Sequence, residues 1–158
     1  MAHAPQEIRT FFITSTAKDR RRVFQTERMA RLFLDVLQDN RKKGRFLLHE
    51  FVVMPDHFHV LVTPAENVPV EKAVQYIKGG FSFRAGKEFG VKTEIWQAGF
   101  GERRIKDARD YESHRKYIWE NPVARFLVDR AEKYPYSSAT PGAEVDARPA
   151  WFERTTQG

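Results

Sequence analysis

The chain has 158 residues, of which 41% are hydrophobic and 30% are charged, and it contains no cysteine. This length suits one domain, and the lack of cysteine excludes disulfides, thiolate metal sites and a cysteine nucleophile. There is no run of about 18 apolar residues, so no membrane-spanning helix is expected. Residues 1–9 lack the apolar stretch of a signal peptide, and we therefore expect a cytoplasmic protein.

The net charge of the chain is +6 at neutral pH. A basic domain of this size favours a polyanionic partner, because lysine and arginine that neutralise phosphates release condensed counterions. The basic residues occur in three clusters, at 18–22, 41–45 and 103–115. Such clusters also occur as ordinary solvated loops, so charge alone leaves both interpretations open.

The first half of the chain is predicted to contain a strand and a helix, followed by two strands that form a hairpin. Residues 8–15 are rich in β-branched and aromatic side chains and predict a strand. Residues 26–43 carry apolar side chains at spacings of three and four, which predicts a helix that ends at Gly44. Residues 46–54 and 57–63 predict two further strands, joined by a turn that contains proline.

The next segment predicts a long helix and a fourth strand. Residues 70–89 favour a helix, but Gly79 and Gly80 lie in its middle, and each internal glycine costs about 1 kcal/mol relative to alanine. We therefore predict a break or kink at this pair. Residues 94–105 contain two aromatic side chains and should include a strand.

A third helix is predicted to start after Asp107, a good N-cap, and to end before Pro122. A short further helix is predicted at residues 123–130. The order β-α-β-β-α-β followed by a helix is the ferredoxin-like pattern, an α+β fold with an antiparallel sheet and two helices on one face. We expect one domain over residues 1–140 and a C-terminal tail over residues 141–158.

Two histidines lie on the third predicted strand. Because side chains alternate between the faces of a strand, His57 and His59 share one face, about 7 Å apart, while the alternate side chains are all apolar and should face the helices. Two imidazoles at this spacing can converge on one divalent cation with a third ligand from elsewhere. The alternative is a pair of surface histidines without a metal.

Helical geometry separates two tyrosines of the third predicted helix. At about 100° per residue, Tyr111 falls in the apolar stripe with Ile118, while Tyr117 lies at the edge of that stripe. Asn121 is four residues after Tyr117 and lies on nearly the same side. This helix is able to deliver a nucleophile and a metal-binding amide oxygen together. The alternative is that Tyr117 is a boundary residue and Asn121 a cap.

Two motifs together resemble a known family. The segment GRFLLHEFVVMPDHFHVLVTP (residues 44–64) resembles the His-apolar-His (HUH) segment of the single-tyrosine (Y1) transposases. The segment IWQAGFGERRIKDARDYESHRKYIWENPV (residues 95–123) resembles their tyrosine helix, and EKYPYSSA (residues 132–139) resembles the sequence that follows it. The resemblance spans residues 8–140 and is strongest to the REP-associated tyrosine transposases, relatives of the insertion-sequence-200-like enzymes.

The resemblance implies a role for each of four residues. His57 and His59 would bind a divalent metal, Mg²⁺ or Mn²⁺, with Asn121 as the third protein ligand. Tyr117 would attack the DNA backbone and form a covalent 5′-phosphotyrosine. The implied activity is cleavage and strand transfer of single-stranded or hairpin-forming DNA, as in DNA transposition, by a monomer or a homodimer. The ferredoxin-like fold is implied as well.

This chain departs from the family pattern at Glu102-Arg103, where many relatives have Asp-His or Glu-His. Two other functions remain open on the residues alone: a single-stranded nucleic-acid-binding module without catalysis, and a metal-dependent hydrolase that uses water. The candidate DNA contacts among the basic residues are Arg20, Arg21, Arg22, Arg103, Arg104 and Lys106.

Overall fold

The computed structural model describes residues 9–150 and residue 152. In chain order the main elements are β1 (Phe11–Thr16), α1 (Glu27–Lys42), β2 (Phe46–Met54), β3 (His57–Pro64), α2 (Val70–Phe89), β4 (Gly101–Arg104) and α3 (Ala108–Ala124). All four predicted strands and the three longer predicted helices are present. Ile8, at the start of the first predicted strand, lies outside the described residues.

The four strands form one antiparallel sheet in the order β2-β3-β1-β4. The central pair is β1 and β3, in which Thr14 lies opposite His59 and Thr16 lies opposite His57. The hairpin of β2 and β3 is closed by a turn after Met54, as the sequence predicted. This strand order, with one helix in each crossover, is the ferredoxin-like arrangement.

The first face of the sheet is covered by α1 and α2. Thr26 caps α1, because its side chain accepts a hydrogen bond from the backbone N–H of Met29. Phe58, Val60 and Val62 of β3 are buried in the core that these helices form with the sheet. The predicted division of β3 into a helix-facing side and an opposite side is therefore confirmed.

The predicted break in α2 at Gly79 and Gly80 is wrong, since one helix runs through both residues. A Cβ atom on Gly80 would lie 3.1 Å from Cγ1 of Val36 in α1, whereas a Cβ on Gly79 would meet nothing within 4 Å. Gly80 therefore allows α1 and α2 to approach closely. Packing against α1 outweighs the low helix propensity of the glycine pair.

The second face of the sheet is partly covered by α3. Tyr111 and Ile118 of this helix are buried with Leu61 of β3 in a second core cluster. Tyr117, by contrast, keeps 52% of its surface exposed. The predicted distinction between a core Tyr111 and a boundary Tyr117 is confirmed.

The end of α3 differs from the prediction. The helix continues through Pro122 to Ala124, and no separate helix follows it at residues 125–130. Pro122 lacks an N–H to donate to the carbonyl of Ile118, but it lies in the last turn of the helix, where its fixed φ is still helical. The start of α3 is as predicted, because Asp107 accepts a hydrogen bond from the N–H of Asp110.

Part of the segment after residue 140 contacts the domain. The carboxylate of Asp146 binds the guanidinium of Arg41 through two contacts of 3.0 and 3.2 Å and accepts a hydrogen bond from the N–H of Leu48. Phe152 is buried beside Tyr111. Within residues 9–150 and 152, no helix has both the length and the apolar character needed to cross a bilayer.

Candidate active site

The two histidines of β3 lie side by side on the second face of the sheet. The ring centroids of His57 and His59 are 4.8 Å apart, and both side chains are buried. They are held there by the pairing of β3 with β1, which places Thr14 and Thr16 directly across from them. Strand alternation, as read from the sequence, therefore brings both imidazoles to one place.

Each histidine is oriented through its Nδ1 atom. His57 Nδ1 lies 2.7 Å from a carboxylate oxygen of Asp56, whose other oxygen pairs with Arg20 at 3.2 Å. Because an ionised carboxylate only accepts hydrogen bonds, His57 donates from Nδ1 and its Nε2 lone pair stays free. His59 Nδ1 lies 2.7 Å from the hydroxyl of Thr14. Its Nε2 is buried and has no hydrogen-bond partner.

Both imidazoles are held in the neutral form. Burial lowers the pKa of His57 below its usual value, although the Asp56 carboxylate opposes this effect. Burial, with smaller contributions from electrostatic interaction with His57 and Arg125, lowers the pKa of His59 to about 3. A neutral imidazole keeps the lone pair that a metal ion needs.

Tyr117 reaches the histidines of its own chain. Its ring centroid is 5.3 Å from that of His59 and 6.0 Å from that of Phe12 in β1. The three side chains border a cavity of about 330 Å³. The residues that line this cavity, called here the tyrosine cavity, are Phe12, Thr14, Thr16, Arg20, His57, His59, Tyr117 and Arg125.

Asn121 lies one helical turn beyond Tyr117 on α3. Its side-chain oxygen is buried without a hydrogen-bond partner, a costly state for a polar atom unless a ligand satisfies it. No group of three or more His, Cys, Asp or Glu residues is close enough to bind a metal within the described part of the chain. Two imidazole nitrogens and one amide oxygen are a donor set that suits Mn²⁺, and Mg²⁺ if water or phosphate supplies further oxygens.

Three of the six predicted DNA contacts lie near the tyrosine cavity. Arg20 lines it, and Arg22 lines an adjoining cavity of about 160 Å³. Arg103 of β4 is paired opposite Phe12 and so lies on the same face of the sheet, at its edge. The position at which this chain departs from the family pattern is therefore next to the site.

The other three predicted contacts lie elsewhere. Arg21 binds the backbone carbonyl of Glu94. Arg104 is paired opposite the core residue Phe11 and lies on the other face of the sheet. Lys106 is exposed and precedes α3. None of these three residues lines the tyrosine cavity.

Sequence reasoning missed Arg125. This residue lies eight positions after Tyr117 and four after Asn121, so helical spacing places all three on one side of α3. It lines the tyrosine cavity and lies close enough to affect both histidines electrostatically. The signal was present in the spacing, but the prediction that the helix ends before Pro122 concealed it.

The chain is similar to proteins of known family. The family model described as "Transposase IS200 like" matches residues 10–121. A REP-associated tyrosine transposase of Escherichia coli strain K12 is 28% identical over 130 residues, which cover 82% of this chain and 75% of that protein. A relative from Haemophilus influenzae is 27% identical over 138 residues, covering 81% of this chain and 78% of its own.

Two solved structures have the same fold as this chain. A REP-associated tyrosine transposase bound to a REP hairpin superposes with a TM-score of 0.67 at 27% identity, covering 90% of this chain and 87% of that one. A protein of Deinococcus radiodurans shares the fold, with a TM-score of 0.55 at 21% identity. The family model matches well over half of the 158 residues, across all four strands and the tyrosine helix. The chain therefore belongs to the IS200-like transposase family.

Proposed function

We propose that this protein cleaves and rejoins single-stranded DNA, with Tyr117 as the nucleophile and a divalent metal bound by His57, His59 and Asn121. One observation carries the proposal. Tyr117 lies beside His59 in one cavity, 5.3 Å apart between ring centroids. Nε2 of His59, and Oδ1 of Asn121 one helical turn beyond Tyr117, are both buried without hydrogen-bond partners. A pure binding module needs none of these features as a set.

The proposed reaction exchanges one phosphodiester for another. The Tyr117 oxygen forms a bond to phosphorus, the bond from phosphorus to the 3′ oxygen breaks, and the phenol loses its proton while the 3′ oxygen gains one. The products are a 5′-phosphotyrosine and a free 3′-hydroxyl. Attack of a 3′-hydroxyl on the phosphotyrosine reverses these bonds, so rejoining needs no ATP.

The chain's own residues prepare this site in distinct ways. His57 and His59 stay neutral because they are buried, and Asp56 and Thr14 fix the orientation of their rings. When bound, the metal supplies charge that stabilises the negative phosphate in the transition state. Arg125 adds a fixed positive charge at the same cavity, where a phosphate oxygen would carry negative charge.

The DNA substrate is proposed to be a hairpin with unpaired flanks. A structural relative at 27% identity is a transposase bound to a REP hairpin, and the net charge of +6 favours a polyanion. We propose that an unpaired flank enters the cavity beside the half-exposed Tyr117. Arg20 and Arg125 are placed to meet the backbone of that strand.

Adduct formation tests the nucleophile. The protein is incubated with labelled hairpin DNA carrying single-stranded flanks and Mn²⁺, and a denaturant-stable protein–DNA adduct is expected. Tyr117→Phe should abolish the adduct, whereas Tyr76→Phe on α2, across the sheet, should not. Cleavage without an adduct would favour the hydrolase, and binding without cleavage the non-catalytic module. Full activity of Tyr117→Phe would disprove the assignment.

Thermal stability tests the metal site without using activity. Mn²⁺ at about 100 times its Kd should stabilise the fold by about 2.7 kcal/mol, a rise in Tm of roughly 5–10 °C for a chain of this size. Asn121→Ala should lose most of this rise, because it removes one of three proposed ligands. An unchanged rise in Asn121→Ala would remove that residue from the ligand set.

A further inference from the structure

The helix that carries Tyr117 ends on an unusual residue. The N–H of Phe126 donates to the carbonyl of Val123, and the N–H of Leu127 donates to the carbonyl of Pro122. These two bonds form a Schellman motif, in which the residue at the position of Phe126 adopts a left-handed conformation and is usually glycine. Phe126 has a φ of 61° and leaves 93% of its surface exposed. Phe126 therefore adopts an unfavourable backbone conformation, although its ring is not buried in return.

The neighbours of Phe126 connect it to the tyrosine cavity. Arg125, the residue before it, lines that cavity and also the adjoining one, which Leu127 and Arg22 line as well. Leu127 keeps 44% of its surface exposed. Arg125 makes no ion pair with any residue that the structure describes. Leu127 thus lines one cavity together with Arg22 and Arg125, and the exposed Phe126 is the residue between Arg125 and Leu127 in the chain.

Phe83, another strongly exposed aromatic side chain of the described residues, lies in a different setting. Phe83 is 68% exposed, but it lies in the regular helix α2 on the opposite layer, and the ammonium of Lys87 lies over its ring at 5.8 Å. Phe83 therefore has neither a strained backbone nor a link to the tyrosine cavity. It serves as a matched control for the loss of an exposed ring.

We propose that Phe126 and Leu127 form a stacking platform for an unpaired base of the DNA strand that enters the tyrosine cavity. Arg125 and Arg22 then bind the phosphates on either side of that base. Aromatic rings flanked by cationic side chains are how proteins bind single strands without reading their sequence. The charges favour a nucleic acid over a protein partner, because the apolar surface is small and bordered by arginine. The inference rests on the proposed function, whose substrate it locates.

Because the backbone of Phe126 is strained, the stacking platform can be tested with a substitution that does not destabilise the fold. Phe126→Gly relieves the left-handed strain, so it should preserve the fold or raise Tm. The same change removes the stacking ring. A variant that folds at least as well as the wild type but binds a single strand less tightly cannot owe its defect to misfolding.

The assay compares two strands with equal phosphate charge. Binding of the full chain to labelled oligo(dT) and to an abasic strand of equal length is measured by fluorescence anisotropy, with EDTA present to prevent cleavage. The wild type should bind oligo(dT) more tightly. Phe126→Gly should weaken oligo(dT) binding about five-fold or more, the size expected for one lost stacking contact, and leave abasic binding unchanged. Phe126→Trp should retain the preference for oligo(dT), and Phe83→Ser should behave as the wild type.

Each other outcome refutes the inference at a defined step. Unchanged oligo(dT) binding in Phe126→Gly, or an equal loss on both strands, would show that the ring does not stack on a base. Equal binding of both strands by the wild type would do the same. If the wild type forms the Tyr117 adduct while Phe126→Gly keeps its affinity, only the platform is wrong. If the wild type binds no DNA and forms no adduct, both proposals fail.

Discussion

Trp119 anchors the tyrosine helix to the sheet through one hydrogen bond. Its indole N–H donates to Oε1 of Glu50 in β2 at 2.7 Å, and the hydroxyl of Ser138 donates to the same oxygen at 2.7 Å. Trp119→Phe keeps an aromatic ring beside this carboxylate but removes the donor. The expected result is a less stable protein in which α3 is less firmly held over the histidines.

The expected loss of stability in Trp119→Phe depends on whether the acceptor of the hydrogen bond is charged. A hydrogen bond to a charged group contributes about 1.5–3 kcal/mol, against about 0.5–1.5 kcal/mol for a neutral pair. Trp96 provides the matched neutral case, because its indole N–H donates to the backbone carbonyl of Lys78 at 2.9 Å. We expect Trp119→Phe to cost about 2 kcal/mol, or roughly 4–8 °C in Tm, and Trp96→Phe to cost about 1 kcal/mol.

The cost of Trp119→Phe should also depend on pH. Burial raises the pKa of Glu50 above its usual value of 4.5, and the hydrogen bonds from Ser138 and Trp119 oppose that rise. For an acid with a raised pKa, the folded state loses stability as pH increases from the unfolded pKa to the folded one, and the loss is constant above that. Removing the Trp119 donor raises the pKa further, so the variant should lose more stability at neutral pH than near pH 4.5.

Urea unfolding followed by circular dichroism, at several pH values, measures these differences. The Tyr117 adduct, measured in parallel, should form more slowly in Trp119→Phe than in Trp96→Phe. The reasoning is refuted if Trp119→Phe costs no more than Trp96→Phe at neutral pH. It is also refuted if the difference between the two variants grows as Glu50 becomes protonated.

Two further predictions concern a buried histidine and the paired glycines. Burial lowers the pKa of His59 to about 3, so the unfolded state takes up a proton at a higher pH than the folded state does. Protonation of His59 therefore lowers the stability of the protein as pH falls below about 6.5 and has no effect on stability above that pH. Urea midpoints of His59→Gln should therefore fall less steeply with acid, and an identical slope would contradict this. Gly79→Ala should stabilise the protein by about 1 kcal/mol. Gly80→Ala should gain less or lose stability because of its close contact with Val36, and equal gains would contradict the packing argument.

The sequence was sufficient for the parts of the fold that depend on local pattern. Strand alternation placed His57 and His59 on one face, and helical spacing separated Tyr117 from Tyr111, because both rest on the fixed geometry of a strand or helix. The continuity of α2 was not readable in this way. It depends on Val36 of another helix, which only tertiary packing brings near Gly80.

The same limit applies to how the site is assembled. The 5.3 Å between the rings of Tyr117 and His59 follows from the docking of α3, through contacts between residues 69 positions apart, such as the bond from Trp119 to Glu50. Residue spacing within one element cannot give that distance. Thr14, the partner of His59, becomes evident only once β1 and β3 are paired.

The end of α3 shows how one local rule concealed functional candidates. Proline disfavours helix for the residue before it, but Pro122 lies in the last turn of a helix whose docking is fixed by buried residues such as Ile118. Because the helix continues past Pro122, Arg125 turns toward the tyrosine cavity and Phe126 takes the left-handed position that follows. The cap that ends the helix thus places a cation at the proposed phosphate site and an exposed ring on the next residue. Both positions depend on the same turn, so a substitution that unwinds it should affect phosphate and base contacts together, whereas Phe126→Gly should separate them.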